Sequence, residues 1–129
     1  RVSAVVRRTK EGRQVAKLTT AEFKKALSSI GPLTDGQCRF LQAHYGSTGR
    51  VTTMSNLARA ARYKRYGGVN LQYGSLAKRI ARALGKPVPQ TRVELLTEFV
   101  APKKISNRDW VLHMRPAFAA ALRSLKLVK

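Results

Sequence analysis

Acidic residues are what this chain has least of: six Asp and Glu stand against 26 Lys and Arg, and none lies between Asp35 and Glu94. A solvated surface normally interleaves both signs because like charges repel, so a surface this one-sided is relieved when something negative docks on it. Scarce carboxylates and only two histidines also leave little for metal-assisted or acid–base chemistry, which needs several converging ligands. Neither His44 nor His113 has a ligand partner at metal spacing. No serine stands in the glycine setting of a nucleophile elbow. Glu94 and Glu98 fall on one face of a predicted strand, where pairing with nearby arginines is their expected role. No catalysis and no cofactor are therefore expected of this chain. The single cysteine, Cys38, makes an internal disulfide impossible and excludes zinc fingers built on paired cysteines. Within Cys38-Arg39-Phe40-Leu41 it is expected to be a small buried hydrophobe. No run reaches the roughly 18 apolar residues of a spanning helix, and no basic amphipathic stretch has the bulky face that interfacial insertion needs, so a membrane partner is not expected. Without a secretory signal, a cytoplasmic, nucleoid-associated protein is expected.

What fills the acid-free stretch is Arg39, Arg50, Arg59, Arg62, Lys64, Arg65, Lys78, Arg79, Arg82, Lys86 and Arg92. The net charge of +20 and pI near 11.5 far exceed the magnitude of about 2 to 8 usual for a small domain, and they make nucleic acid the first partner to consider. With 129 residues, 43% of them hydrophobic, the chain can bury one core. Residues 1–18 read as a basic arm or the end of a preceding domain: Arg7, Arg8, Lys10, Arg13 and Lys17 surround a Glu11-Gly12 turn signal, and Val5, Val6 and Val15 are too few for a core of their own. Arg1 in first position fits a piece of a longer protein. Residues 19–129 form the predicted binding domain.

Periodicity divides that domain. Thr20 and Glu22 open a helix with Phe23, Ala26, Leu27 and Ile30 at helical spacing, stopped by Gly31-Pro32. Thr34 or Asp35 caps a second, which turns Phe40, Leu41 and Tyr45 to the core and ends before Gly46. Thr53 caps a short helix from Met54 to Arg62, with Leu57, Ala58 and Ala61 buried. After a break at 63–68, where Gly67-Gly68 supplies positive backbone angles, a longer helix opens at Asn70. Its Tyr73, Leu76, Ala77, Ile80 and Leu84 form an apolar stripe, opposite Ser75, Lys78, Arg79 and Arg82, and Gly85 and Pro87 end it. The period then changes to two. Val93, Leu95, Thr97 and Phe99 define one strand and Trp110, Leu112 and Met114 another, with a basic loop over 101–109 between them. Pro116 opens a last helix that buries Phe118, Ala121, Leu122 and Leu125.

Helices, then a helix-turn-helix, then a hairpin with a basic tip: this order, over roughly Leu33 to Met114, resembles the winged-helix family of DNA-binding domains. The resemblance implies an α+β winged helix-turn-helix, here with a C-terminal helix and a basic N-terminal arm, whose second helix enters the major groove of duplex DNA. More loosely, Leu57-Ala58-Arg59-Ala60-Ala61, Asn70-Leu71-Gln72-Tyr73-Gly74-Ser75-Leu76 and Trp110-Val111-Leu112-His113-Met114-Arg115-Pro116 look like bacterial modules found beside HNH nuclease domains in restriction or modified-DNA recognition. No HNH-type nuclease motif is present, so any such activity would lie outside this chain.

The residues expected at the DNA follow from that arrangement. Asn70, Gln72 and Ser75 open the groove helix and would read bases, since Asn and Gln amides pair with adenine edges; Asn70 alternatively caps the helix. Lys78, Arg79 and Arg82 would contact phosphates or bases. Arg62, Lys64, Arg65 and Tyr66 in the break would meet the backbone, with Tyr63 either a contact or a structural plug. Lys103, Lys104 and Arg108 on the wing would reach the minor groove or flanking phosphates. The alternative partner is RNA, as for a ribosome-associated basic protein, although Trp110 alternates toward the core instead of standing on an open sheet face.

Overall fold

The computed structural model describes residues 17–100 and 110–129. Residues 1–16 of the expected basic arm and the wing-tip residues Lys103, Lys104 and Arg108 lie outside the described residues; at the arm's end Lys17 is exposed and Leu18 is buried in the core.

Capping fixes where the helices start. Thr19 accepts from the backbone N–H of Glu22 at 3.1 Å, and the Glu22 carboxylate accepts from the Thr19 N–H at 2.9 Å; this reciprocal box opens α1, Thr20–Ser29. Thr34 and Gln37 repeat it at 3.0 Å both ways for α2, Asp35–Gly46. The inward face of α2 is therefore Gln37, Phe40, Leu41, His44 and Tyr45. Cys38, about 100° further round the helix, is exposed and not the buried hydrophobe expected of it.

A short strand, β1, Val51–Thr53, follows. Thr53 then caps α3, Met54–Ala61, which ends in Arg62 with φ 67°, a left-handed cap on a residue that has a Cβ. The Arg39 side chain donates to the Ala61 carbonyl at 3.0 Å, satisfying a carbonyl left open at that end.

Helix α4, Tyr66–Ala83, begins earlier than the sequence suggests. Arg65 is its N-cap, so Asn70 lies inside the helix and does not cap it. Gly67 and Gly68 are helical, and neither takes a positive φ. The need for glycine at Gly68 is spatial: a Cβ there would meet the Tyr63 ring at 3.0 Å, and one at Gly36 would collide with the Tyr63 hydroxyl. Tyr63 is thus a plug seated between two glycines.

The alternating residues 93–95 fold in a 3-10 helix, Arg92–Leu95, with Leu96 as its C-cap, and only Thr97–Phe99 form strand β2. Val93, Leu95 and also Leu96 are buried, which a two-faced strand with one solvated side does not allow. Glu94 and Glu98 consequently do not share a strand face. Glu98 accepts from Arg115 at 3.3 Å, the arginine pairing expected of it. Strand β3, Val111–Met114, is central and antiparallel to both neighbours, in the order β1-β3-β2, with Thr52 opposite Leu112 and Thr97 opposite Met114. Helix α5, Pro116–Ser124, closes the fold, its Phe118 ring 5.2 Å from Phe23. Among the described residues the architecture is α+β, five helices and a three-stranded sheet around one core.

His44 ties three elements together inside that core. Its Nε2 lies 3.0 Å from the Leu112 carbonyl and its Nδ1 2.9 Å from the Tyr73 hydroxyl. A carbonyl only accepts, so Nε2 carries the proton and Nδ1 accepts from Tyr73. Burial holds the imidazole neutral, lowering its pKa to about 4, and pushes the Tyr73 phenol up.

Candidate nucleic-acid interface

Because α4 buries Val69, Tyr73, Leu76, Ala77, Ile80 and Ala81, its outward face is fixed by helical geometry. Leu71, Ser75, Lys78 and Arg82, at i, i+4, i+7 and i+11, lie along it in one row. Arg82 is exposed, Lys78 and Ser75 are half-exposed, and Leu71 is 64% exposed. A leucine this open on a helix otherwise well packed is the least expected residue on the face, and its polar neighbours gave the sequence no reason to single it out.

Residues two apart on a helix do not face the same way. Asn70 and Gln72 consequently stand on opposite flanks of α4, and the structure does not bring them to a common base-reading position. Arg79, on the Gln72 flank, donates to the Ile30 carbonyl at the end of α1. That bond makes Arg79 a strut between helices, so part of its guanidinium is committed to the fold.

The turn joining α3 to α4 builds a second part of the surface. Arg59, Lys64, Arg65 and Tyr66 line a concavity of about 430 Å³, floored by Ala58 and the Tyr63 plug. The Arg59 guanidinium is steadied by Asn56 at 2.5 Å. Arg59 was legible as a member of this group, since α3 buries Met54, Leu57, Ala58 and Ala61 and turns position 59 outward. Arg62 is exposed at the start of the same turn.

None of these cations has an acidic partner among the described residues. The ion pairs lie elsewhere: Lys86 with Glu22 at 3.8 Å, and Arg115 and His113 with Glu98 at 3.3 and 3.2 Å. Arg62, Lys64, Arg65, Lys78 and Arg82 therefore form a field of one sign along α4 and the turn before it.

Beside the other flank of α4 runs a groove of about 300 Å³, between Asn70 and Gly74 on the helix and Gln90, Thr91 and Arg92 on the segment that returns to the sheet, with Trp110 also lining it. Trp110 is only partly buried, and its ring stands at 84° to Phe99 with centroids 4.8 Å apart. Trp110 packs against the core as expected, with its neighbours Leu112 and Met114 fully buried and the indole itself only partly so.

Among the described residues, no three His, Cys, Asp or Glu side chains converge as metal ligands, and no helix is long and apolar enough to cross a membrane. The chain matches no protein-family model, no curated protein sequence and no solved structure.

Proposed function

We propose that this domain binds duplex DNA as a winged helix-turn-helix, with the outward row of α4 in the major groove and the β2–β3 hairpin as the wing beside it. The observation that carries the reading is the set of cations without an ion-pair partner among the described residues, Lys78 and Arg82 on α4 with Lys64 and Arg65 in the turn before it. Such a field is compensated when phosphates replace the missing acids and release their condensed counterions. Two features of the fold support the same reading. The four residues between α3 and α4 match the short turn of a helix-turn-helix, and β1 adds a third strand that anchors the hairpin to the helices. Within the interface, Lys64, Arg65, Lys78 and Arg82 hold the backbone, while Ser75, Gln72 and the Leu71 methyls face the bases, an apolar side chain being suited to the thymine methyl. Such a module serves as the reading head of a larger protein of the restriction or modified-DNA-recognition kind.

The test is a competition measurement with one labelled duplex against unlabelled duplex DNA, single strands and structured RNA, repeated with Lys78→Ala and Arg82→Ala together. Duplex DNA should compete best, and the double variant should bind it about tenfold or more weakly with unchanged circular dichroism. Structured RNA competing better than duplex would overturn the DNA reading in favour of an RNA-binding protein.

A further inference from the structure

We infer that the groove between α4 and the 90–92 segment takes a single unpaired nucleobase from DNA held on the outward row of α4. The inference rests on the DNA reading above and adds a second, separable site to it.

The groove offers what one flat heterocycle requires. At about 300 Å³ it sits at the bottom of the range of about 300–1,000 Å³ for small-molecule sites, a size suited to one ring system. Trp110 lines it, the indole packed at 84° to the Phe99 ring, and aromatic rings stack on any base. Its sides carry two carboxamides, Asn70 and Gln90, each with a donor and an acceptor that no described residue occupies; that pairing of groups complements the hydrogen-bonding edge of a base. Thr91 and Arg92 also line it, and the stem of Arg92 packs against Gly74, where an added Cβ would lie 3.5 Å from it.

The position of Leu71 connects the groove to the duplex. It lines the groove and also belongs to the outward row with Ser75, Lys78 and Arg82. An exposed apolar side chain at such a junction offers a face against which a base that has left the stack can lie. A base leaving the stack at Leu71 would have the groove beside it. Unstacking costs least for a base that has no partner, so selectivity for unpaired bases follows.

The chain has one tryptophan, Trp110, and its emission reports on the groove directly. Three duplexes of one sequence are titrated: fully paired, carrying a single-adenine bulge, and carrying an abasic bulge. The bulged duplex should bind about tenfold more tightly than the paired one, within the range that one base stacked on an aromatic side chain contributes, and should quench Trp110. The abasic bulge should bind like the paired duplex without that quench. Asn70→Ala combined with Gln90→Ala should abolish the preference and keep the salt-dependent affinity for paired DNA, while Lys78→Ala with Arg82→Ala should weaken all three duplexes alike. Equal affinity and equal emission for paired and bulged duplexes would overturn the groove assignment and leave the DNA reading standing. Failure of every duplex to bind would overturn both.

Discussion

At the residue scale, two arginines one helical turn apart have different work. Arg79 donates to the Ile30 carbonyl, an orphan acceptor at the end of α1, whereas Arg82 is exposed and has no described partner. Arg79→Ala should cost about 1 kcal/mol of stability, the ordinary net value of one hydrogen bond, and lower the melting temperature by a few degrees. Arg82→Ala should leave melting unchanged and weaken duplex binding. Calorimetry and a binding titration on both variants check this, and equal melting would remove the strut. His44 supplies a pH prediction. Its folded pKa of about 4 lies below the ordinary 6.5, so as pH falls through about 6.5 the unfolded chain takes up a proton that the buried ring refuses. Stability is fully present above that value, declines down to about pH 4 and then stops responding, with a total loss of about 3 kcal/mol from this group. Thermal melts of wild type and His44→Gln across that window should show a slope in the first that is reduced in the second.

At the element scale, α4 organises both the core and the interface, and its faces were legible because apolar residues at 73, 76, 77 and 80 keep a helical period over several turns. Ile80→Asp should therefore unfold the domain, since it buries an unpaired carboxylate at a fully buried position. Leu71→Asp should leave folding intact and abolish duplex binding by placing negative charge on the cationic row. Circular dichroism paired with a binding assay separates the two outcomes. The start of α4 was not legible. A glycine pair reads as a break because glycine is a poor helix former, yet here the space above Gly68 is what admits the Tyr63 ring, a requirement that exists only once α3 and α4 are packed. Strand β1 was missed for a related reason: Val51-Thr52-Thr53 is too short to show a period, and its pairing with β3 comes from the far end of the chain. The segment 93–96 deceived because Val93 and Leu95 mimic alternation, and only the burial of Leu96 as well betrays a turn of helix. In the interface, charge was legible and direction was not. Arg79 differs from Lys78 and Arg82 only by pointing at a neighbouring helix, and Asn70 from Gln72 only by the flank on which each stands.

At the scale of the whole molecule, a net charge of +20 makes the proposed DNA binding a salt-controlled equilibrium. The logarithm of affinity should fall linearly with the logarithm of salt concentration, with a slope of about −0.9 for each phosphate contacted. Removing Lys78 and Arg82 together should flatten that slope by roughly 2. A titration series at several ionic strengths measures it, and an affinity indifferent to salt would end the polyanion argument. The sheet sets a different property of the same complex. Strand β3 is clasped on one edge by β1, which leads directly into α3 and α4, and on the other by β2, which follows them. The α3–α4 unit is thus flanked in sequence by two strands that both pair with β3, as the two jaws of a caliper share one beam. Under the DNA reading proposed above, α4 and the base of the hairpin would meet a duplex at a spacing set through one shared strand. Duplexes would then be sorted by whether their own curvature and groove width match that gauge.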